Sequence, residues 1–206
     1  RDLRMSRGLG DVYKRQIFQV KGRGTNFLSK LEEGDFIDVV GPLGNGIFKL
    51  NGHKNVAIIG GGIGIFPLYE FAKEAQKEAN TNIYLGFRSK DFVVLEDEFK
   101  NVANNLIITT DDGTYGNSGF AINYLEKDLN EKNIDAIYAC GPLPMLKAVK
   151  KLAESKNIFC QISLEQRMAC GVGACMGCSV KLTTEDVNYA RVCKDGPVFD
   201  SKSVEI

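Results

Sequence analysis

The 206 residues suffice for one large or two small domains, and 44% hydrophobic with 25% charged residues describe an ordinary globular chain. Lys+Arg and Asp+Glu both number 26, so the net charge is zero; this argues against nucleic acid as the main partner, because phosphate contacts need a basic excess or stripe. No apolar run reaches the roughly 18 residues of a membrane span; the longest, Val56 to Phe66, is broken by four glycines, so no membrane contact and a cytoplasmic location are expected.

Residues 1–16 carry five arginines or lysines and no period of either kind. They are expected to be foreign to the native chain or disordered, with native sequence lying further upstream. A strand ends over Ile17 to Val20. Gly22, Gly24 and Thr25 make a turn, with Thr25 placed to cap a short helix through Lys30. Gly34-Asp35 leads into a second strand, Phe36 to Val40, and the glycine-rich Gly41 to Gly46 is a tight loop. This portion, 17–52, reads as the tail of a small β-barrel. His53 is expected in a surface turn.

From Asn55 the period changes. Val56 to Ile59 reads as a buried strand, followed by the glycine run Gly60 to Gly64 and a helix from Pro67. Leu68, Phe71, Ala72, Ala75 and Ala79 recur at helical spacing along it. Further strands are predicted at Ile83 to Phe87, Leu106 to Thr110, Ile134 to Cys140 and Ile158 to Leu164. The helices between them are predicted at Phe92 to Lys100, Ser118 to Lys127 and Pro142 to Glu154. Strand–helix alternation of this kind predicts a doubly wound parallel sheet over 53–164 with helices on both faces. The expected class is α/β: a partial N-terminal barrel, a nucleotide domain and a small C-terminal domain over 165–206.

The glycine run lies where a strand gives way to a helix. Glycine there lets backbone approach a pyrophosphate, and the helix start offers unpaired N–H groups. The spacing is not G-x-G-x-x-G, because Ile65 follows Gly64. Gly60, Gly62 and Gly64 are the candidates, against a glycine-lined turn with no ligand. Asp111, beside Thr110, Asp112 and Gly113, and Cys140-Gly141-Pro142 lie at other strand ends, the edge where open α/β sheets bind ligands. Cys140 is a candidate nicotinamide contact or a small buried hydrophobe; Cys160, within a strand, is expected in the core.

Cys170, Cys175, Cys178 and Cys193 follow the pattern C-x4-C-x2-C-x14-C. That order is plant-type [2Fe–2S] spacing, and the glycines between permit the turns that aim backbone N–H groups inward. Structural zinc, the alternative, takes its cysteines as two short pairs far apart. With no Ser–His–Asp or Cys–His arrangement visible, the chemistry is expected to be that of bound cofactors.

The motifs IFQVKGRGTNFLSKL, DVVGPLGNG, GGGIG, LGFRSK, TDDGTYG, ACGPLPML and SLEQRMACGVGACMGC with VCKDGPVF are spread along the chain from Ile17 to Phe199. With them, residues 17–206 resemble the electron-transfer subunits of type B, NAD-dependent dihydroorotate dehydrogenase, within the ferredoxin-reductase-like superfamily. The last pair holds all four cysteines at the family spacing. The resemblance implies FAD at Ile17, Phe18, Gln19, Gly24 and Thr25. Gln19 stands where an arginine is usual, and the family's Arg-Pro-x-Ser motif is absent, so weak FAD retention is expected of the chain. It further implies NAD at the glycine-run edge, although Arg88 after a strand is placed to meet a 2′-phosphate. The implied role is an oxidoreductase subunit of pyrimidine (UMP) biosynthesis. It would carry electrons from the FMN of a dihydroorotate dehydrogenase catalytic subunit, through [2Fe–2S] and FAD, to NAD⁺, in a two-plus-two heterotetramer. The alternatives are a flavin and [2Fe–2S] NAD(P)H reductase subunit serving a ferredoxin or hydrogenase partner, and an electron-carrying interaction module without turnover of its own.

Overall fold

The computed structural model describes residues 3–9, 12–183 and 188–206, with side chains described from residue 17 onward. The chain divides into two compact units, residues 1–41 and 42–206.

In the first unit, β1 (Leu3–Leu9) and β2 (Val12–Gln19) form an antiparallel hairpin, pairing Leu3 with Gln19 and Leu9 with Val12. The strand expected to end over Ile17 to Val20 therefore begins at Val12, and its partner Leu3–Leu9 lies in the stretch expected to be foreign or disordered. Helix α1 spans Arg23–Leu28. Thr25 is not its N-cap. Gly22 takes that place with extended backbone, and the Thr25 hydroxyl reaches back to accept from the N–H groups of Lys21 at 2.8 Å and Gly22 at 3.1 Å, the return half of a capping box. The strand expected at Phe36 to Val40 does not form; the segment has no regular structure and Phe36 is 97% exposed. A strand needs a ladder partner, and among the described residues this segment pairs with none.

The second unit is built on a seven-stranded sheet. Its elements in chain order are β3 (Asn55–Gly61), α2 (Ile65–Ala75), β4 (Asn80–Phe87), α3 (Glu96–Lys100), β5 (Asn105–Thr110), β6 (Asn117–Ser118), α4 (Ala121–Glu131), β7 (Ala136–Cys140), α5 (Leu143–Ser155), β8 (Phe159–Ser163), β9 (Ser179–Lys181), β10 (Tyr189–Arg191) and β11 (Val198–Asp200). The sheet order is β11-β8-β7-β3-β4-β5-β6, parallel throughout except β11. β9 and β10 form a separate antiparallel pair.

Alternation within β3 and β7 divides the core between the two faces of the sheet. Val56, Ile58 and Tyr138 pack with Ile65, Leu68, Ala72 and Ala75 of α2. Ala57, Ile59 and Ile137 pack with Leu125 of α4 and Leu146 and Val149 of α5. Each fully buried Ile or Leu here contributes about 1.5–3 kcal/mol. The second cluster continues into the C-terminal lobe through Val180, Ala190, Val192 and Val204. The lobe after β8 is thus part of the same body, with β11 returning to extend the sheet edge.

Helix bounds differ from those expected: α2 begins at Ile65 rather than Pro67 and ends at Ala75, short of Ala79. Where a helix was expected from Phe92 to Lys100, the chain first makes a 3₁₀ turn at Lys90–Phe92, and Leu95 takes φ 59° before α3 begins. Glu96, Asp97 and Glu98 then supply negative charge at the helix start. α4 starts at Ala121 rather than Ser118 because Asn117–Ser118 joins the sheet as β6, and Gly119 turns the chain at φ 96°.

Of residues 17–52, assigned by sequence to the barrel, 42–52 belong to the second unit. Asn45 and Gly46 donate backbone N–H bonds to Gly196 O at 3.0 and 2.9 Å. The Tyr138 hydroxyl donates to the carbonyls of Lys49 and Leu50, each at 3.0 Å. His53 does sit in a turn, but half-buried, stacked on Phe159 with ring centroids 5.1 Å apart. Among the described residues, no helix is long and apolar enough to cross a membrane.

Candidate functional site

Parallel pairing brings the ends of β3, β4, β5, β7 and β8 to one edge of the second unit. Three glycines of the run do different work there. A Cβ on Gly60 would stand 2.8 Å from Ile65 Cγ2 and 3.0 Å from Leu68 Cδ1, so its smallness lets α2 lie on the sheet. A Cβ on Gly64 would stand 2.5 Å from Cys140 O, so it lets the turn close over the end of β7. Gly62, at φ 56°, has open space where a side chain would be. It is the glycine whose backbone a ligand can approach. Pro67 lies in the first turn of α2, where a missing N–H costs nothing.

A cleft of about 550 Å³ opens at this edge. Gly62, Gly64, Gly141 and Pro142 line it together, and Gly60 does not. Asp111 does not; it ends β5, two strands from β3, where its N–H bonds Phe87 O at 2.9 Å. The Cys140 backbone reaches the edge, but its side chain is 2% exposed and packs on the α2 side of the sheet. Burial pushes its thiol up to about 12, against a hydrogen bond with Ser163. At neutral pH it is a buried neutral thiol rather than a group presented to the cleft. Cys160 is likewise buried and pushed up to about 12, in keeping with a core position.

The C-terminal lobe supplies the other wall. Glu165, Lys181 and Glu205 line the cleft, and Lys181 Nζ pairs with Glu205 Oε2 at 2.8 Å. Glu165 falls in the motif that leads into the cysteine loop, whereas Lys181 and Glu205 were marked by no local motif. Lys181 and Glu205 meet only because β9 runs beside the C-terminal segment, where Glu205 N donates to Lys181 O at 2.9 Å.

The four cysteines gather in this lobe and are linked two by two, the backbone N–H of one to the sulfur of the other. Cys175 N donates to Cys170 Sγ at 3.4 Å, and Cys193 N donates to Cys178 Sγ at 3.4 Å. Gly177 N donates to Cys175 Sγ, also at 3.4 Å. Cys170 and Cys175 are exposed, whereas Cys178 and Cys193 are buried. Backbone N–H groups of Cys175 first, then Val172, pull the Cys170 thiol down to about 6, with Ala174 adding to them. The N–H of Cys193 lowers Cys178, while the hydrogen bond with Cys178 raises Cys193, the behaviour of two sulfurs sharing a proton.

This donor set fits a two-iron cluster. Four thiols stand as two pairs, one pair for each iron, with backbone N–H groups already aimed at sulfur. Among the described residues, no three His, Cys, Asp or Glu side chains close around a single ion. The loop geometry depends on left-handed backbone at Gly171 (φ 72°), Gly173 (φ 82°) and Met176 (φ 59°). The first two are the turns that glycine was expected to permit.

Comparison with known proteins agrees with this geometry. Residues 165–205 match the family described as the iron-sulfur cluster binding domain of dihydroorotate dehydrogenase B, and residues 58–151 match the oxidoreductase NAD-binding domain. The chain is 43% identical over 189 residues to the dihydroorotate dehydrogenase B (NAD(+)) electron transfer subunit of Caldanaerobacter subterraneus subsp. tengcongensis, covering 91% of this chain and 74% of that protein. It is 44% identical over 195 residues to the subunit of the same name from Fusobacterium nucleatum, covering 92% and 73%. Among solved structures, it resembles a chain from a study of flavin-based electron bifurcation by an NADH-dependent reduced ferredoxin-NADP oxidoreductase. There the TM-score is 0.79 at 32% identity, over 98% of this chain and 77% of that one. The chain belongs to the family of electron-transfer subunits of type B, NAD⁺-linked dihydroorotate dehydrogenase.

Proposed function

We propose that this chain works in the cytoplasm beside an FMN-bearing dihydroorotate dehydrogenase catalytic subunit, in a two-plus-two assembly, and delivers that subunit's electrons to NAD⁺. The observation that carries the reading is the pairing of the thiols. Four sulfurs set two by two, with N–H groups aimed at them, lie in one compact body with the nucleotide cleft.

Cys170, Cys175, Cys178 and Cys193 would hold the [2Fe–2S] cluster, their sulfurs steadied by backbone N–H groups. Gly62 would admit the NAD pyrophosphate beside the start of α2, and Gly141 and Pro142 would bound the nicotinamide side. Cys140 would support that edge from beneath, through packing. Asp111, exposed at the end of β5, would face the adenosine half, where a carboxylate suits a ribose diol better than a 2′-phosphate. Ile17, Phe18, Gln19, Gly24 and Thr25 would line the flavin segment, Thr25 through the turn its hydroxyl fixes. Bound FAD and cluster would supply the exchange between one-electron and two-electron chemistry that the side chains lack.

The test is reconstitution. The full-length chain alone should oxidise NADH with artificial acceptors and leave dihydroorotate untouched. With the catalytic subunit, dihydroorotate should reduce NAD⁺. Failure of the loaded pair to couple the two would overturn the assignment and favour a reductase serving ferredoxin, which the likeness to the ferredoxin-linked oxidoreductase supports.

A further inference from the structure

Arg191 lies two residues before the fourth cluster cysteine and touches both ligand segments. Its Nε donates to Asp195 Oδ2 at 3.1 Å and its Nη2 to Asp195 Oδ1 at 3.4 Å, a forked pair. Asp195 Oδ2 also accepts the Arg191 backbone N–H at 2.8 Å, which closes the turn around Cys193. The remaining arm crosses to the other segment, where Nη1 donates to Gly173 O at 3.1 Å. The two segments are also in direct contact, since a Cβ on Gly173 would stand 2.7 Å from Lys194 Cδ.

Gly173 sits between the two sulfur pairs. Its own N–H acts to lower the Cys193 thiol. The next peptide has the Gly173 carbonyl at one end and the Ala174 N–H at the other, and that N–H is among the backbone groups that lower the Cys170 thiol, behind those of Cys175 and Val172. In a trans peptide the C=O and N–H point in opposite directions. A guanidinium holding the carbonyl therefore aims the N–H at sulfur and, by polarising the amide, strengthens it as a donor.

We propose that Arg191, clipped by Asp195, is a positioning residue for the cluster: through the Gly173–Ala174 peptide it directs an N–H onto Cys170 and raises the cluster's electron affinity. Donors to cluster sulfur stabilise the more negative, reduced state, as does a nearby positive charge. The arrangement fixes the separation of the C-x4-C-x2-C loop from Cys193 at the same stroke.

The inference rests on the cluster reading, and one set of measurements separates the two. The full chain, reconstituted anaerobically, is assayed for iron and sulfide, then titrated for its midpoint potential and examined by electron paramagnetic resonance when reduced. Arg191→Gln should hold the cluster at least tenfold less readily in its reduced form, about 59 mV for one electron, with altered g-values. Arg191→Lys keeps the charge but not the fork, and should fall between. Asp195→Asn should lose iron faster to a chelator. A loaded Arg191→Gln with wild-type potential and g-values would overturn the inference and leave the cluster reading standing. Should that variant fail to load, Arg191→Lys decides: a lowered potential supports the inference and a wild-type potential overturns it. Zinc without sulfide in the wild-type chain would overturn both.

Discussion

Gly64 has no room for even a methyl group, while Gly62 has room but the wrong backbone for one. Gly64→Ala forces its Cβ to within 2.5 Å of Cys140 O, an overpacking that should cost about 1–3 kcal/mol; thermal unfolding checks it. Gly62→Val meets open space but must adopt φ 56° and would crowd a ligand. It should slow NADH oxidation sharply while the visible spectrum of the cluster persists. These two positions looked equivalent in sequence, because a run of glycines does not say which one faces solvent and which faces the end of another strand. Cys170 offers a pH test. Its thiol, exposed and drawn down to about 6, should be thiolate at pH 7 in cluster-free protein. Alkylation by iodoacetamide should reach Cys170 before Cys193, with the rate falling as pH drops through about 6. Equal rates at all four cysteines would contradict the proposed N–H cradle. Arg191 and Asp195 were illegible beforehand, since R-V-C-K-D reads as ordinary surface charge until the fold lays Gly173 beside it.

Among the elements, α4 is tied to the sheet by one buried polar contact. The Tyr84 hydroxyl donates to Asp128 Oδ2 at 2.6 Å, and Lys132 Nζ donates to the same oxygen at 2.7 Å. Burial pushes Asp128 up, but the bonds from Lys132 and Tyr84 outweigh it and hold the carboxyl below its usual value. A depressed carboxyl contributes stability above its unfolded pKa and loses it as pH falls through the folded one. Urea unfolding should therefore show stability falling below about pH 4, from the ordinary aspartate value. Tyr84→Phe should cost about 1 kcal/mol at pH 7 and flatten that slope. The central strands were legible because Val56 to Ile59 and Ile137 to Cys140 are continuous apolar runs, buried on both faces. Phe36 to Val40 carried a similar apolar signal, yet among the described residues no strand pairs with it. β6 and β11, two and three residues long, are too short for any periodicity to reveal. α3 was overextended because nothing local announces the left-handed turn at Leu95.

At the scale of the whole molecule, the lobe bearing the cysteines shows apolar side chains to solvent. Met168, Val172 and Met176 are 55%, 50% and 49% exposed, in or beside the C-x4-C-x2-C loop. The proposed partner would cover them, so Met176→Trp should slow dihydroorotate-linked NAD⁺ reduction in the reconstituted pair more than it slows NADH oxidation by the subunit alone. Equal slowing of both would place the effect within this chain. The β11 strand has one more consequence. The chain leaves the sheet after β8, makes the cysteine lobe, and comes back to lie against the very strand it left, Val198 opposite Ser163. A lobe anchored at both ends to one strand is no detachable cassette. Cutting the gene after residue 164 would not yield a tidy nucleotide-binding module, because β8 would become a bare edge open to pairing with other chains. Transplanting residues 165–206 onto another reductase would in turn leave the graft without the strand on which its own return depends.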